Sequence, residues 1–224
     1  MSIVLDLLAH TAIPDSQLSI MNPIDNESDP NPPSFASEHG FMVGFKLDAT
    51  DHVADVIYSE KQPSEEPAPQ TDDGLIGRQF WDFIHGKELR HLYEMIFTNA
   101  RNSKKEIVVP YRCDSPTLQR FMELRVFAES ENTLLVLNYL ITEEHTAYTG
   151  LLDVIERDPT SWLSICSWCK KVKVDREWVE IQIAITELGL FANELLPQLT
   201  HGICPTCITI INDSMTVDDP NVSI

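Results

Sequence analysis

At 224 residues the chain has room for one medium domain and a small one. Its 43% hydrophobic content belongs to a folded protein. With 35 acidic residues against 16 basic ones, the net charge of −19 repels phosphate backbones and argues against direct nucleic-acid binding.

Residues 2–10 read as a short amphipathic helix. This run has no basic stretch ahead of it and is interrupted by Asp6, which argues against a signal peptide. No stretch approaches the roughly eighteen apolar residues that span a bilayer. The expectation is therefore a cytoplasmic protein with no membrane contact. Residues 13–34 are rich in Pro, Asn, Asp and Ser, with Pro14, Pro23, Pro30, Pro32 and Pro33 among them. That composition cannot bury enough apolar surface to fold, so 1–34 reads as a helix and a disordered linker.

From Phe35 the pattern changes. Residues 40–47 and 52–58 read as two strands joined by a polar turn at 48–51. Residues 59–74 are acidic and contain prolines, as a long exposed loop does. A helix follows, because Leu89, Leu92, Tyr93, Ile96, Phe97 and Ala100 share one face at helical spacing.

Three strands come next. In 106–113, Ile107, Val109, Tyr111 and Cys113 share one face, with Arg112 and Asp114 turned to the other. In 118–128, Met122, Leu124, Val126 and Ala128 share a face. Residues 133–141 are apolar on both faces, as in a central strand. Strand, strand, helix, strand, strand, strand makes an α+β domain over 35–145, with an antiparallel sheet and helices on one side.

Residues 146–160 form a polar connecting segment, in which Leu151, Leu152 and Ile155 read as a short helix. The segment 143–160 would be the moving link between the two parts. The small C-terminal module, 161–211, carries Cys166-Ser-Trp-Cys169 and Cys204-Pro-Thr-Cys207, with a polar tail over 212–224. Each C-x-x-C pair puts two thiols on a tight turn. Two such pairs supply the four sulfurs of a closed tetrahedral zinc site, Cys166, Cys169, Cys204 and Cys207. A site closed by four protein ligands has no position for water or substrate, which points to structure or sensing rather than hydrolysis.

The cysteines number five, and an odd count with paired motifs fits a reducing compartment and a metal better than disulfides. Between the pairs, 176–190 reads as a helix with Trp178, Ile181, Ile185 and Leu188 as its inner stripe. The module has little core of its own, so chelation should melt it and leave the upstream domain intact.

Other candidates are weaker. His201, three residues ahead of Cys204, could replace a cysteine as ligand or hydrogen-bond a thiolate. Cys113, the spare thiol, reads as a small buried hydrophobe. Lys170, Lys171 and Lys173 are the one tight basic cluster, best placed to balance thiolate charge. Trp81, Phe83, Trp162, Trp168 and Trp178 read mostly as packing residues, though Trp168, with little local room, could dock the module onto the domain or a partner. Phosphate-loop, HExxH and GxSxG patterns are missing, so no catalytic set emerges.

Two segments carry a resemblance. Gly77-Arg-Gln-Phe-Trp-Asp-Phe-Ile84, His91-Leu-Tyr93 and residues 111–122 resemble divergent bacterial PAS-like sensory domains. Ile165-Cys-Ser-Trp-Cys-Lys-Lys-Val172 with His201-Gly-Ile-Cys-Pro-Thr-Cys207 is similar to a cysteine module of bacterial signalling proteins. The first resemblance implies a five-stranded antiparallel sheet with flanking helices, often a homodimer, often with a pocket for a small ligand it does not identify.

Cys113 sits in Tyr-Arg-Cys-Asp-Ser-Pro rather than the Asn-Cys-Arg-Phe-Leu-Gln run of flavin light sensors. His91 falls off the apolar stripe, against a haem-ligand role. The expected function is a non-enzymatic signalling protein whose PAS-like domain senses or dimerises and whose zinc module docks a protein partner. A transcription-linked nucleic-acid binder and a cysteine redox switch stand as alternatives.

Overall fold

The computed structural model describes residues 40–58, 74–129, 132–153, 156–190 and 195–216. The expected helix at 2–10, the linker and acidic loop, Ile155 and the polar tail from 217 lie outside them.

The chain folds as α+β. Strands β1 (Gly40–Leu47), β2 (Val53–Tyr58), β3 (Ile107–Arg112), β4 (Leu118–Ala128) and β5 (Leu134–His145) form a five-stranded antiparallel sheet in the order β2-β1-β5-β4-β3. Strand β5 is central, as its apolar sequence suggests. Its inward residues Leu134, Val136 and Asn138 are buried, whereas Leu135, Leu137 and Tyr139 on the opposite face are only partly covered. Helix α1 (Lys87–Ser103) lies over the inner face and buries all six expected residues, Leu89 to Ala100. It starts after Gly86 at φ +94° and ends at Lys104 in the left-handed region, whose N–H donates to the Ala100 carbonyl.

Phe45, Phe80, Tyr93 and Phe97 pack edge-on and tilted at centroid separations of 5.2–6.3 Å, forming the aromatic centre of this core. The expected turn at 48–51 is present, with Asp51 at φ +63°. Arg101 of α1 clamps it, donating to the Asp48 carbonyl at 3.1 Å and to Asp51 Oδ1 at 2.5 Å. Trp81 Nε1 donates to the other oxygen of Asp51 at 3.1 Å.

The C-terminal part builds a second sheet. Strands β6 (Arg157–Cys166), β7 (Val172–Val174), β8 (Glu177–Val179) and β9 (Leu196–Gly202) lie in the order β8-β7-β6-β9, with β6 and β9 parallel. Helix α2 (Ile181–Glu187) crosses from β8 toward β9, and α3 (Pro205–Thr216) follows β9. The expected helix over 176–190 is thus shorter. Its first residues pair as β8 with β7, and Asp175 at φ +51° makes the turn between those strands. Ile181 and Ile185 are buried as expected, Leu188 is exposed, and Trp178 belongs to β8.

Among its described residues the connecting segment holds one 3-10 turn at Gly150–Leu152, with Leu151 buried, and β6 already begins at Arg157. Leu151, Leu163, Ile165, Val172, Ile181, Ala184, Ile185 and Leu190 form a small core. The C-terminal part therefore has more core of its own than its sequence suggests. Among the described residues no helix is long and apolar enough to cross a membrane.

Candidate metal centre

The two C-x-x-C turns are built differently. The first sits at the end of β6. Cys166 N–H donates to the Lys171 carbonyl at 2.7 Å, and Lys170 N–H returns to the Cys166 carbonyl at 3.0 Å. Lys170 takes φ +64° to close this turn, and Ser167 N–H ties it to the Gly202 carbonyl on β9 at 2.8 Å. The second sits at the start of α3. Cys204 precedes the helix, Pro205 occupies its first position, where a missing N–H costs nothing, and Cys207 lies in the first turn. The positive end of the helix backbone therefore lies at this second turn.

The parallel pairing of β6 with β9 brings the turns together, because Cys166 lies opposite Gly202. All four Sγ atoms fall within 4.8 Å of one another. Cys166 Sγ is 3.9 Å from Cys207 Sγ, and Cys169 Sγ is 3.7 Å from Cys204 Sγ. A tetrahedron of sulfurs about 2.3 Å from a central zinc has edges of about 3.8 Å. The donor set therefore fits such an ion in number, softness and spacing. Cys204 N–H also points at Cys166 Sγ, at 3.4 Å. Among the described residues this is the one cluster of His, Cys, Asp or Glu arranged to hold a metal.

Without a metal the thiols share protons unequally. Hydrogen bonds from the Cys169 and Cys207 thiols, reinforced by backbone N–H groups, hold Cys166 far below the ordinary thiol range. The same bonding holds Cys207 well above that range and pushes Cys169 up to about 12.

Three of the four cysteines, Cys166, Cys204 and Cys207, are buried, and the cluster is continuous with the core under the five-stranded sheet. Trp168 makes the join. Its side chain is buried between Tyr93 of α1 and Tyr111 of β3, at centroid separations of 5.7 and 5.9 Å. Its Nε1–H donates to the Pro110 carbonyl at 2.7 Å, and its own carbonyl accepts from Arg112 N–H at 2.9 Å. Of the two roles open to Trp168, docking onto the upstream domain is the one observed. Ile211 of α3 completes the contact and is fully buried in the same core.

A buried ion network reinforces this junction. Arg112 is paired in two-pronged fashion with Asp114 and reaches Glu180, ahead of α2, at 2.5 Å. Glu180 also faces Lys171 at 3.7 Å. Burial alone would make the Arg112 guanidinium easier to deprotonate, but Asp114 and Glu180 more than offset this and hold it charged. Arg112 and Asp114 do turn away from the inner face, as their alternation suggests, yet both are buried because the second sheet covers that edge. Sequence reasoning missed them. The available signal was an Arg and an Asp two residues apart at the edge of an apolar strand.

The remaining candidates separate clearly. His201 is exposed and outside the sulfur cluster. Cys113 lies just beyond β3, fully buried, with its thiol pushed up by desolvation, and it is not one of the four. Lys170 is only 7% exposed, with Nζ donating to the Ser167 carbonyl at 2.9 Å, so it cannot serve a basic surface patch. Its place beside the thiolates suits charge balance, against a desolvation that lowers its pKa. His91 is exposed on α1, off the buried stripe. Trp162 is exposed rather than packed. No family model matches this chain, and neither a curated protein nor a solved structure matches it.

Proposed function

We propose that this chain is a non-enzymatic cytoplasmic signalling or regulatory protein, in which a PAS-like sensing or dimerisation domain is coupled to a structural zinc centre that docks a protein partner. The observation that carries this reading is the sulfur cluster. Four thiols at tetrahedral spacing, mostly buried, fill an ion's coordination shell and leave no position for substrate. The succession of strands and helix upstream is the one the PAS resemblance implies.

Zinc is the natural occupant of four thiolates, since it tolerates the tetrahedron without redox chemistry. When bound, it would cross-link β6 to α3 through Cys166, Cys169, Cys204 and Cys207. Lys170 supports the anionic shell, and Trp168 carries the position of the first turn into the upstream core. The net charge of −19 favours a protein partner over nucleic acid.

The test is the metal content and absorption spectrum of full-length protein purified under reducing conditions. One zinc per chain and no visible chromophore are expected. A metal-free protein whose four cysteines interconvert between thiols and disulfides on oxidant titration would replace this reading with a redox switch.

A further inference from the structure

Trp168 satisfies two polar groups on the outer edge of β3, which is an edge strand of the five-stranded sheet. The indole N–H takes the Pro110 carbonyl and the Trp168 carbonyl takes the Arg112 N–H, so one residue of the metal turn caps a stretch of otherwise open strand. Between these two positions lies Tyr111, whose ring packs on Trp168 and whose hydroxyl donates to Asn138 Oδ1 on β5 at 2.8 Å. Asn138 Nδ2 in turn donates to the Val43 carbonyl on β1 at 3.2 Å. Asn138 is buried. A line of contacts, one ring packing and then two hydrogen bonds, thus runs from the Cys166–Cys169 turn, under the sheet, to β1.

We propose that metal occupancy is read by the five-stranded sheet through this line: the loaded centre fixes Trp168 against β3, and the empty centre releases it. The inference rests on the metal reading above and adds the route by which metal state changes the upstream domain. Loading exchanges thiol protons for the ion and needs no oxidant or reductant. It fixes Cys166 and Cys169, the two ends of the turn that carries Trp168, and adds to the bonds this turn makes to Gly202 and Arg112. With Trp168 fixed, the edge of β3 is closed and Tyr111 is held in register with Asn138. With Trp168 free, the Arg112 N–H and Pro110 carbonyl open to water, and Tyr111 loses the ring that confines it.

Amide hydrogen exchange of the full chain tests this, with cobalt(II) as the probe ion because its tetrahedral thiolate site absorbs visible light. In the wild type, removing the metal should speed exchange at 107–112 by roughly tenfold or more, with a smaller change in the same direction at 134–140 and 43–47. Trp168→Ala should bind cobalt with the same absorption bands but exchange quickly at 107–112 in both states. Trp168→Phe keeps an aromatic ring at the site, loses the indole N–H together with the five-membered ring, and should show a reduced metal response at 110–112. Tyr111→Phe should keep the response of β3 and lose that of β1.

Cobalt binding with unchanged exchange in the wild type overturns the inference while leaving the metal reading intact. So does an undiminished metal response in either Trp168 variant. An undiminished response of β1 in Tyr111→Phe overturns the relay beyond β3. A wild-type chain with no cobalt absorption at all overturns the metal reading and this inference together.

Discussion

The C-terminal part of the molecule has two interiors, and they answer to different neighbours. Leu163, Ile165, Val172, Ile181 and Ile185 pack among themselves as the small core of the second sheet. The four cysteines, Trp168 and Ile211 come from the same stretch of sequence, yet they join the large core of the five-stranded sheet with Tyr93, Tyr111 and Phe97. The difference teaches where an ion held by the four sulfurs would act. It would not staple a separate appendage. The sulfur cluster lies at the seam, so whatever such an ion stabilises is shared by both sheets.

Loss of the centre is the hardest blow to that picture. Cys204→Ser, or chelation of the wild type, should cost on the order of 5 kcal/mol or more, since metal binding supplies folding free energy directly. Because the cysteines share the larger core, both sheets should weaken together. Denaturant unfolding of the metal-free chain should give coincident transitions by tryptophan fluorescence and far-ultraviolet circular dichroism. An early transition confined to the C-terminal part would restore the picture of a module that melts alone.

The ion network at the seam comes next. Arg112→Ala leaves Asp114 buried beside Glu180 without a cation, which typically costs about 3–5 kcal/mol. Replacing Arg112 and Asp114 together by apolar residues should recover most of that loss. Ile181→Ala strikes the small core instead and should cost about 2–5 kcal/mol. The two single variants should differ in kind. Arg112→Ala should lower metal affinity in a cobalt titration, because the Arg112 guanidinium fixes Glu180, which in turn holds Lys171 of the first cysteine turn. Ile181→Ala should leave affinity within about threefold, since its neighbours are not those of the sulfurs.

Metal affinity should also depend on pH, with a sign set by the thiols. Hydrogen bonding holds Cys169 and Cys207 protonated at neutral pH, while Cys166 is already ionised. A metal must displace at least the first two protons. Affinity therefore falls as pH falls, by at least about two log units per pH unit. A cobalt titration between pH 6 and 8 (about the range in which thiol sites load) measures this. A flat profile would mean that the sulfurs are not the ligands.

Much of this was legible in the sequence, where local pattern determines structure. The stripe from Leu89 to Ala100 gave α1 because one helical face suffices to define it. The alternation in 118–128 gave β4 for the same reason, and the spacing of the cysteines gave the ligand set. Contacts between distant segments were not legible. Residues 177–179 pair with β7 as a strand because Asp175 adopts a left-handed turn, which no periodicity reveals. Arg112 and Asp114 alternate away from the apolar face like surface residues, and it is contact with the distant Glu180 and Trp168, together with Phe121, that accounts for the burial at Arg112. The small core of the C-terminal part escaped notice because its members are scattered from Leu151 to Leu190.

The two tryptophans flanking the first cysteine sharpen the same point at the smallest scale. Trp162 and Trp168 both read from sequence as packing residues. Trp168 is 3% exposed and wedged between two tyrosines, whereas Trp162 is 63% exposed. On β6, Trp162 sits opposite Gln198 of β9 and shares its face with Ser164, whose hydroxyl lies 3.0 Å from that of Thr200. With polar neighbours and most of its surface already in water, it has little burial to lose. Trp162→Ala should change unfolding free energy by no more than about 0.5 kcal/mol and leave the cobalt spectrum untouched. A loss of about 2 kcal/mol or more would place Trp162 against a surface that the described residues do not include.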